Sequence, residues 1–292
     1  MRKTSKTDKP SVEFINILTF LQILHPYFVF AGNYLLNVQK NVRSVAKNGK
    51  SVFTSALTDA DLSVQNFFEV LLLGLCPDCA LDSEESERSI NAKYFPKKSK
   101  YRFILDPVDG TKSFKDGGRN FGIVLTVTLD ERIVAVMMYL PAYDKFFSAV
   151  ENNPTFVGNS LNFLEKELNL LELPRSGVFR TDHTPMGIVE TINEVIEVKE
   201  ITRDYNSETW HWPKFGILTG EIDGFFKSNG GVEDWGAIAF LAEHARASVT
   251  NVFGARIPEN AGTRKTIPTL LVSRDPVIHN LVLNALNEKR KK

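Results

Sequence analysis

The chain has 292 residues, 43% of them hydrophobic and 24% charged, enough for one large or two closely packed globular units with a substantial core. Lys+Arg and Asp+Glu balance at 35 each, so there is no global basic field of the kind that nucleic-acid or membrane-surface binding uses. The apolar stretch from Phe14 to Leu36 is interrupted by Asn16, Thr19, Gln22, His25, Pro26 and Asn33, which argues against a membrane span.

Residues 1–10 read as a polar basic tail without the compact apolar segment and cleavage site of a secretory signal. A cytoplasmic location is expected, with an organelle-targeting role for this tail as the open alternative. Residues 11–150 are expected to form an N-terminal α+β half and residues 151–292 a C-terminal α/β half. Residues 11–46 read as helical, broken near Pro26, with Ala31, Leu35, Val38 and Val42 on one face. Lys47-Asn48-Gly49-Lys50 signals a turn, and a short strand is expected over Ser51–Thr54. A helix follows from Leu62 to Leu72, and just before it Asp59 and Asp61 read equally well as caps or as functional carboxylates. The two cysteines, in Cys76-Pro77-Asp78-Cys79, supply only half a zinc site and read as loop thiols or as a redox pair. With no disulfide framework in view, an intracellular setting is favoured. The acidic run Asp82-Ser83-Glu84-Glu85-Ser86-Glu87 is either a solvated surface loop or part of a metal site.

The stretch that follows is the most informative in the chain. Tyr101–Leu105 reads as a buried strand that breaks at once into Asp106-Pro107-Val108-Asp109-Gly110-Thr111. Pro107 fixes its own φ and keeps Asp106 out of the helical region, while Gly110 permits a tight, positive-φ backbone. Amides at the start of the next turn are then available to an anion. One tight turn thus offers carboxylates to hard cations and amides to a phosphate, which is the chemistry of metal-assisted phosphate-ester hydrolysis.

Downstream, Phe121–Leu129 and Ile133–Tyr139 read as strands joined by a turn at Asp130-Glu131-Arg132, with a third strand over Lys145–Val150, making an antiparallel meander. A helical pattern covers Leu161–Leu171. The second half is expected to hold strands at Gly177–Arg180, Glu197–Ile201, Glu221–Phe226, Val249–Phe253 and Thr269–Ser273. Its helices are expected at Pro185–Val195, Trp212–Thr219, Val232–Ala245 and Pro276–Glu288. Asp234 falls in the first turn of the third of these helices, where a carboxylate also suits the helix dipole.

Taken together, these acidic features resemble the inositol monophosphatase superfamily of magnesium-dependent, lithium-sensitive phosphatases. Asp106–Thr111 matches the superfamily's D-P-[IVL]-D-G-T motif in full. Thr58-Asp59-Ala60-Asp61 matches T-x-A-D, and Glu84-Glu85-Ser86 matches G-E-E-S with Ser83 in place of the Gly. Glu233-Asp234-Trp235-Gly236-Ala237 is a degraded W-D-x-A-A. The resemblance spans roughly residues 30 to 285. It implies an α+β fold of layered α/β/α/β/α architecture, a homodimer, and two or three Mg²⁺ ions. Glu84, Asp106 and the Val108 carbonyl would hold one ion; Asp106, Asp109 and Asp234 would hold a second; a weaker third would sit near Glu84 through water. Thr111, with Asp61 behind it and Glu84 assisting, would orient and deprotonate the attacking water. The amides of Gly110 and Thr111 would bind phosphate oxygens.

The implied substrate is a small phosphorylated metabolite of the inositol phosphate or histidinol phosphate type, and no nucleic acid or membrane partner is implied. The family's inositol-contacting glutamate is replaced here by Lys227, which suits a second phosphate or a carboxylate. Glu208-Thr209-Trp210-His211 replaces the small residues that many members carry before the second-half helix, and would reshape the pocket. Trp210, His211 and Trp212 either stack on a ring of the substrate or pack in the core. Lys112-Ser113-Phe114 favours the histidinol-phosphatase-like branch, whereas Arg180-Thr181-Asp182-His183-Thr184 keeps a 3′(2′),5′-bisphosphate nucleotidase in view. The alternative in class is a non-catalytic relative that binds a phosphometabolite.

Overall fold

A computed structural model describes residues 16–45, 50–83, 86–201, 213–231, 235–257 and 266–290. Two long helices, α1 (Ile17–Val45) and α2 (Lys50–Leu75), form the outermost layer. The expected break at Pro26 is absent, and α1 runs through it. An interior proline costs a helix about 3 kcal/mol. Here Leu24 and Phe28, on either side of it, are fully buried together with Leu21 and Leu35. That apolar stripe against α2 and the first sheet offsets the lost hydrogen bond. The expected strand at Ser51–Thr54 is instead the start of α2. Ala60, Val64, Phe68 and Leu72 recur every fourth residue and are all buried, so one stripe holds the helix together. Phe68 meets Phe28 edge-to-face at 4.8 Å. Asp59 and Asp61 therefore lie inside a helix and cap nothing.

The first sheet has seven strands in sequential order. They are β1 (Ala80–Ser83), β2 (Tyr101–Asp109), β3 (Gly122–Leu129), β4 (Arg132–Leu140), β5 (Lys145–Val150), β6 (Phe156–Gly158) and β7 (Lys166–Glu167). Only the β1/β2 pair is parallel; the rest is the expected meander, carried on past residue 150 by β6 and β7. Asp130 and Glu131, between β3 and β4, both have positive φ (48° and 68°), as tight two-residue hairpins require. The helix expected over Leu161–Leu171 does not form. Asn159 accepts the amides of Leu161 and Asn162, and Asn169 accepts that of Leu171, so side chains of this segment hold it in turns instead.

The second sheet contains β8 (Phe179–Asp182), β9 (Val198–Glu200), β10 (Gly224–Gly231), β11 (Ser248–Thr250) and β12 (Thr266–Ser273), in the order β11-β12-β10-β8-β9. Between the sheets lie α5 (Pro213–Thr219) and α6 (Ala237–His244); on the far side lie α4 (Met186–Asn193) and α7 (Pro276–Arg290). The result is the expected five-layer α/β/α/β/α stack, with one apolar core under α1 and α2, one around α5 and α6, and a small one under α4 and α7. The short helix α3 (Thr111–Asp116) leaves the end of β2.

Cys76 and Cys79 are not loop thiols. They are buried and joined by a disulfide across the turn after α2. Among the described residues, no helix is long and apolar enough to cross a membrane.

Candidate active site

The turn after β2 is built around a break in strand register. In a regular strand, residues three apart face opposite sides. The β2/β3 pairing is irregular between Asp106, opposite Val124, and Asp109, opposite Gly122. Pro107, which has no amide to give to a ladder, sits in that irregularity. The Asp106 carboxylate accepts the Val108 amide at 3.1 Å, and the Thr111 hydroxyl donates to the Val108 carbonyl at 3.0 Å. Gly110 has φ 85° and ψ 33°, and a Cβ there would lie 2.4 Å from the Asn120 carbonyl oxygen. Only glycine meets both conditions. Beyond it, fully buried Phe114 packs edge-to-face on Phe121 at 4.8 Å and anchors α3 to the sheet. Asp61 is buried on α2, which packs against both β2 and α3, the elements carrying Asp106, Asp109 and Thr111.

The second half closes on this turn with cations. Lys214, in α5, is 3% exposed, and its ammonium donates to Asp109 at 2.9 Å; Asp109 is itself 5% exposed. Lys227, in β10, donates to Asp182, its register partner at the end of β8, at 2.8 Å, and both are buried. His183, exposed and at positive φ (47°), holds the other Asp182 oxygen through Nδ1 at 2.6 Å. The Trp235 indole lies near both lysines, with Lys214 Nζ 5.1 Å and Lys227 Nζ 5.2 Å from its ring centre. Phe225 at 5.5 Å and the backbone of Gly230, where a Cβ would be 2.4 Å from the ring, fix the indole in place.

The structure thus brings Asp106, Val108, Asp109, Gly110 and Thr111 together on one turn. It places Lys227, expected as a cation facing the substrate, in a buried pair with Asp182. Glu84, Glu208, Asp234, the Trp210–Trp212 run and the turn at 47–49 lie outside the described residues. Lys214, Asp182 and Trp235 were not read as site residues. Lys214 carried a signal, since it is the lone charge in the otherwise apolar Trp212–Leu218. Asp182 stood in a run already compared with the nucleotidases, but a residue number alone does not place it beside Lys227.

Two positions can be tested against a hard cation. Asp106 and the Val108 carbonyl present oxygen donors on one turn, the donor type Mg²⁺ takes. Asp109 does not fit equally, because one of its oxygens already bonds an ammonium. Among the described residues, no three His, Cys, Asp or Glu side chains converge on a common point.

Five alternating layers, with a D-P-V-D-G-T turn where the first sheet meets the central helices, define a layered phosphatase-type protein. The sequence model of the Inositol monophosphatase family matches residues 27–210, well over half of the chain, and the chain belongs to that family. It is 20% identical over 236 residues to an inositol monophosphatase of Dictyostelium discoideum, covering 80% of this chain and 83% of that one. It is 23% identical over 196 residues to an inositol-1-monophosphatase of Mesorhizobium japonicum, covering 65% and 69%. The solved inositol monophosphatase of Anabaena superposes with a TM-score of 0.68 at 14% identity, over 94% of this chain and 97% of that one. This last likeness bears on the fold alone.

Proposed function

We propose that the chain is a Mg²⁺-dependent phosphomonoesterase that hydrolyses a small phosphorylated alcohol by direct attack of water. The observation that carries the reading is the turn itself: the Asp106 carboxylate accepts the Val108 amide at 3.1 Å and the Thr111 hydroxyl donates to the Val108 carbonyl at 3.0 Å, beside a glycine-only backbone. A hard cation bound at Asp106 and the Val108 carbonyl, with Glu84 as a further donor, would supply Lewis acidity at phosphoryl oxygen and acidify a water. Thr111, one residue from Gly110, orients the attacking water through its hydroxyl, with Asp61 as the carboxylate that takes up its proton. The amides of Gly110 and Thr111 receive phosphoryl oxygens as charge builds on them. No covalent phosphoenzyme is involved.

The lysines bear on substrate choice. Lys227 is neutralised by Asp182, so it offers little to a second phosphate. The reading therefore favours a monophosphate of a polar alcohol over a bisphosphate. Sensitivity to Li⁺ and assembly as a homodimer extend the same reading. Phosphate release from inositol 1-phosphate, histidinol phosphate, fructose 1,6-bisphosphate and 3′-phosphoadenosine 5′-phosphate, with and without Mg²⁺ and Li⁺, tests it. Mg²⁺-dependent turnover of a monophosphate is expected. Asp106→Asn should lower it by about 100-fold or more, beyond what outer partners of a metal contribute. No release from any of the four, or full activity in Asp106→Asn, would overturn the assignment.

A further inference from the structure

We infer that Lys214 is a built-in counter-ion at Asp109 and that its ammonium takes the place of one of the metal ions the family resemblance implies. This rests on the metal-dependent reading above and narrows it to one ion on the turn in place of two. The pairing is a property of the interior. Lys214 and Asp109 come from different layers, α5 and the end of β2, and are 3% and 5% exposed. Their 2.9 Å bond sets the ammonium against one Asp109 oxygen, and a tryptophan ring lies 5.1 Å from it. Cationic groups sit favourably over an indole, and here the ring is pinned by Phe225 and Gly230. A dication on the same carboxylate oxygen would have to displace a side chain that is 3% exposed. A second ammonium, that of Lys227, already stands 5.2 Å from the centre of that ring. Its own charge is matched by Asp182, at 2.8 Å.

Lys214 also lies beyond residue 210, where the family match ends. The turn that would hold metal is therefore shared with the family, and the lysine is carried by the part of the chain outside that match.

The test counts ions. Mn²⁺ serves as the probe for Mg²⁺, and free Mn²⁺ is followed by its electron paramagnetic resonance signal during titration of wild type, Lys214→Met and Lys214→Gln. Far-UV circular dichroism checks that each variant is folded. One tightly held ion per wild-type chain and two per Lys214→Met or Lys214→Gln chain are expected. Two ions per wild-type chain would overturn the inference and leave the metal-dependent reading standing, and this count needs no variant. Equal counts of one in wild type and a folded variant would also overturn it. No bound ion in any of the three would remove both the inference and the reading beneath it.

Discussion

The Asp109–Lys214 pair lends itself to a double-mutant cycle. At 2.9 Å and an effective dielectric of about 20, the direct attraction between the two charges is about 6 kcal/mol. Most of that is cancelled by the cost of removing both groups from water, so the pair contributes little net stability relative to an apolar pair. The asymmetry appears when one partner is removed. Asp109→Ala leaves an ammonium buried without its carboxylate, and Lys214→Met leaves the carboxylate without its ammonium; each is expected to cost about 3–5 kcal/mol. The double variant is expected to be more stable than the sum of the two losses predicts, with a coupling of about 3 kcal/mol or more. The cation–indole contact to Trp235 is lost in both arms that carry Lys214→Met, so it cancels from the coupling. Urea unfolding of all four proteins in EDTA, compared at constant slope, reads these values without a metal standing in for the lysine. A coupling below about 1 kcal/mol, the range of exposed ion pairs, would refute a buried, mutually dependent pair.

Three further outcomes are expected. Gly110→Ala forces a left-handed backbone on an L-residue and drives a methyl to within 2.4 Å of the Asn120 carbonyl, so it should destabilise the protein by roughly 2 kcal/mol or more and abolish phosphate release; unchanged unfolding midpoints would count against the turn geometry. Burial lowers the pKa of His279 to about 4 from 6.5, so the folded state resists protonation while the unfolded state accepts it, and stability should fall as pH drops from about 6.5 to 4. His279→Gln keeps a hydrogen-bonding side chain beside Thr250 and should remove roughly 2 kcal/mol of that fall, which unfolding at pH 7 and pH 4.5 would show. Burial alone would raise the Asp223 carboxyl, but the Ser176 amide, the Arg274 side chain and the Gly177 amide together hold its pKa below 3.8. Its stabilising contribution is thus present above that value and lost as pH falls below it; Arg274→Met should cost about 3 kcal/mol at pH 7 and noticeably less at pH 2.5, in the same unfolding assay.

The layered fold was legible because its strands and second-half helices carry dense local signals. The meander between Phe121 and Val150 is read from apolar runs and one hairpin turn, and it forms as read. Two of the helical errors come from packing that overrides local propensity, whereas the helix missing over Leu161–Leu171 gives way to local Asn side-chain hydrogen bonds. Pro26 breaks helices in isolation, but not where Leu24 and Phe28 are both sealed against other layers. Ser51–Thr54 looks β-like alone and is absorbed into a 26-residue helix held by its downstream stripe. In the site, the turn was legible because its residues are consecutive and its geometry is local: the Asp106–Val108–Thr111 hydrogen bonds span at most three positions. The lysines' pairings were not, because their partners are 105 and 45 residues away and no local pattern encodes which carboxylate a buried ammonium will meet, so Lys227 was read as a site cation but without Asp182.

Those two distant pairs also change what the acidic residues imply. Read as a column of carboxylates, Asp106, Asp109 and Asp234 call for cations from solution. Asp109 meets one supplied by the chain. An ammonium brings one positive charge where a dication brings two, and it stays when Mg²⁺ is scarce. It also points N–H donors, whereas an ion would offer open coordination positions. On the proposed reading, the turn keeps the amides assigned to phosphate and its Asp106–Val108 donors while needing fewer ions to offset its own negative charge. Lys227 and Asp182 form a second buried lysine–aspartate pair near Trp235, this one within the second sheet. On the proposed metal-dependent reading, the number of ions at the turn depends less on the count of acidic residues than on which of them the lysines leave available.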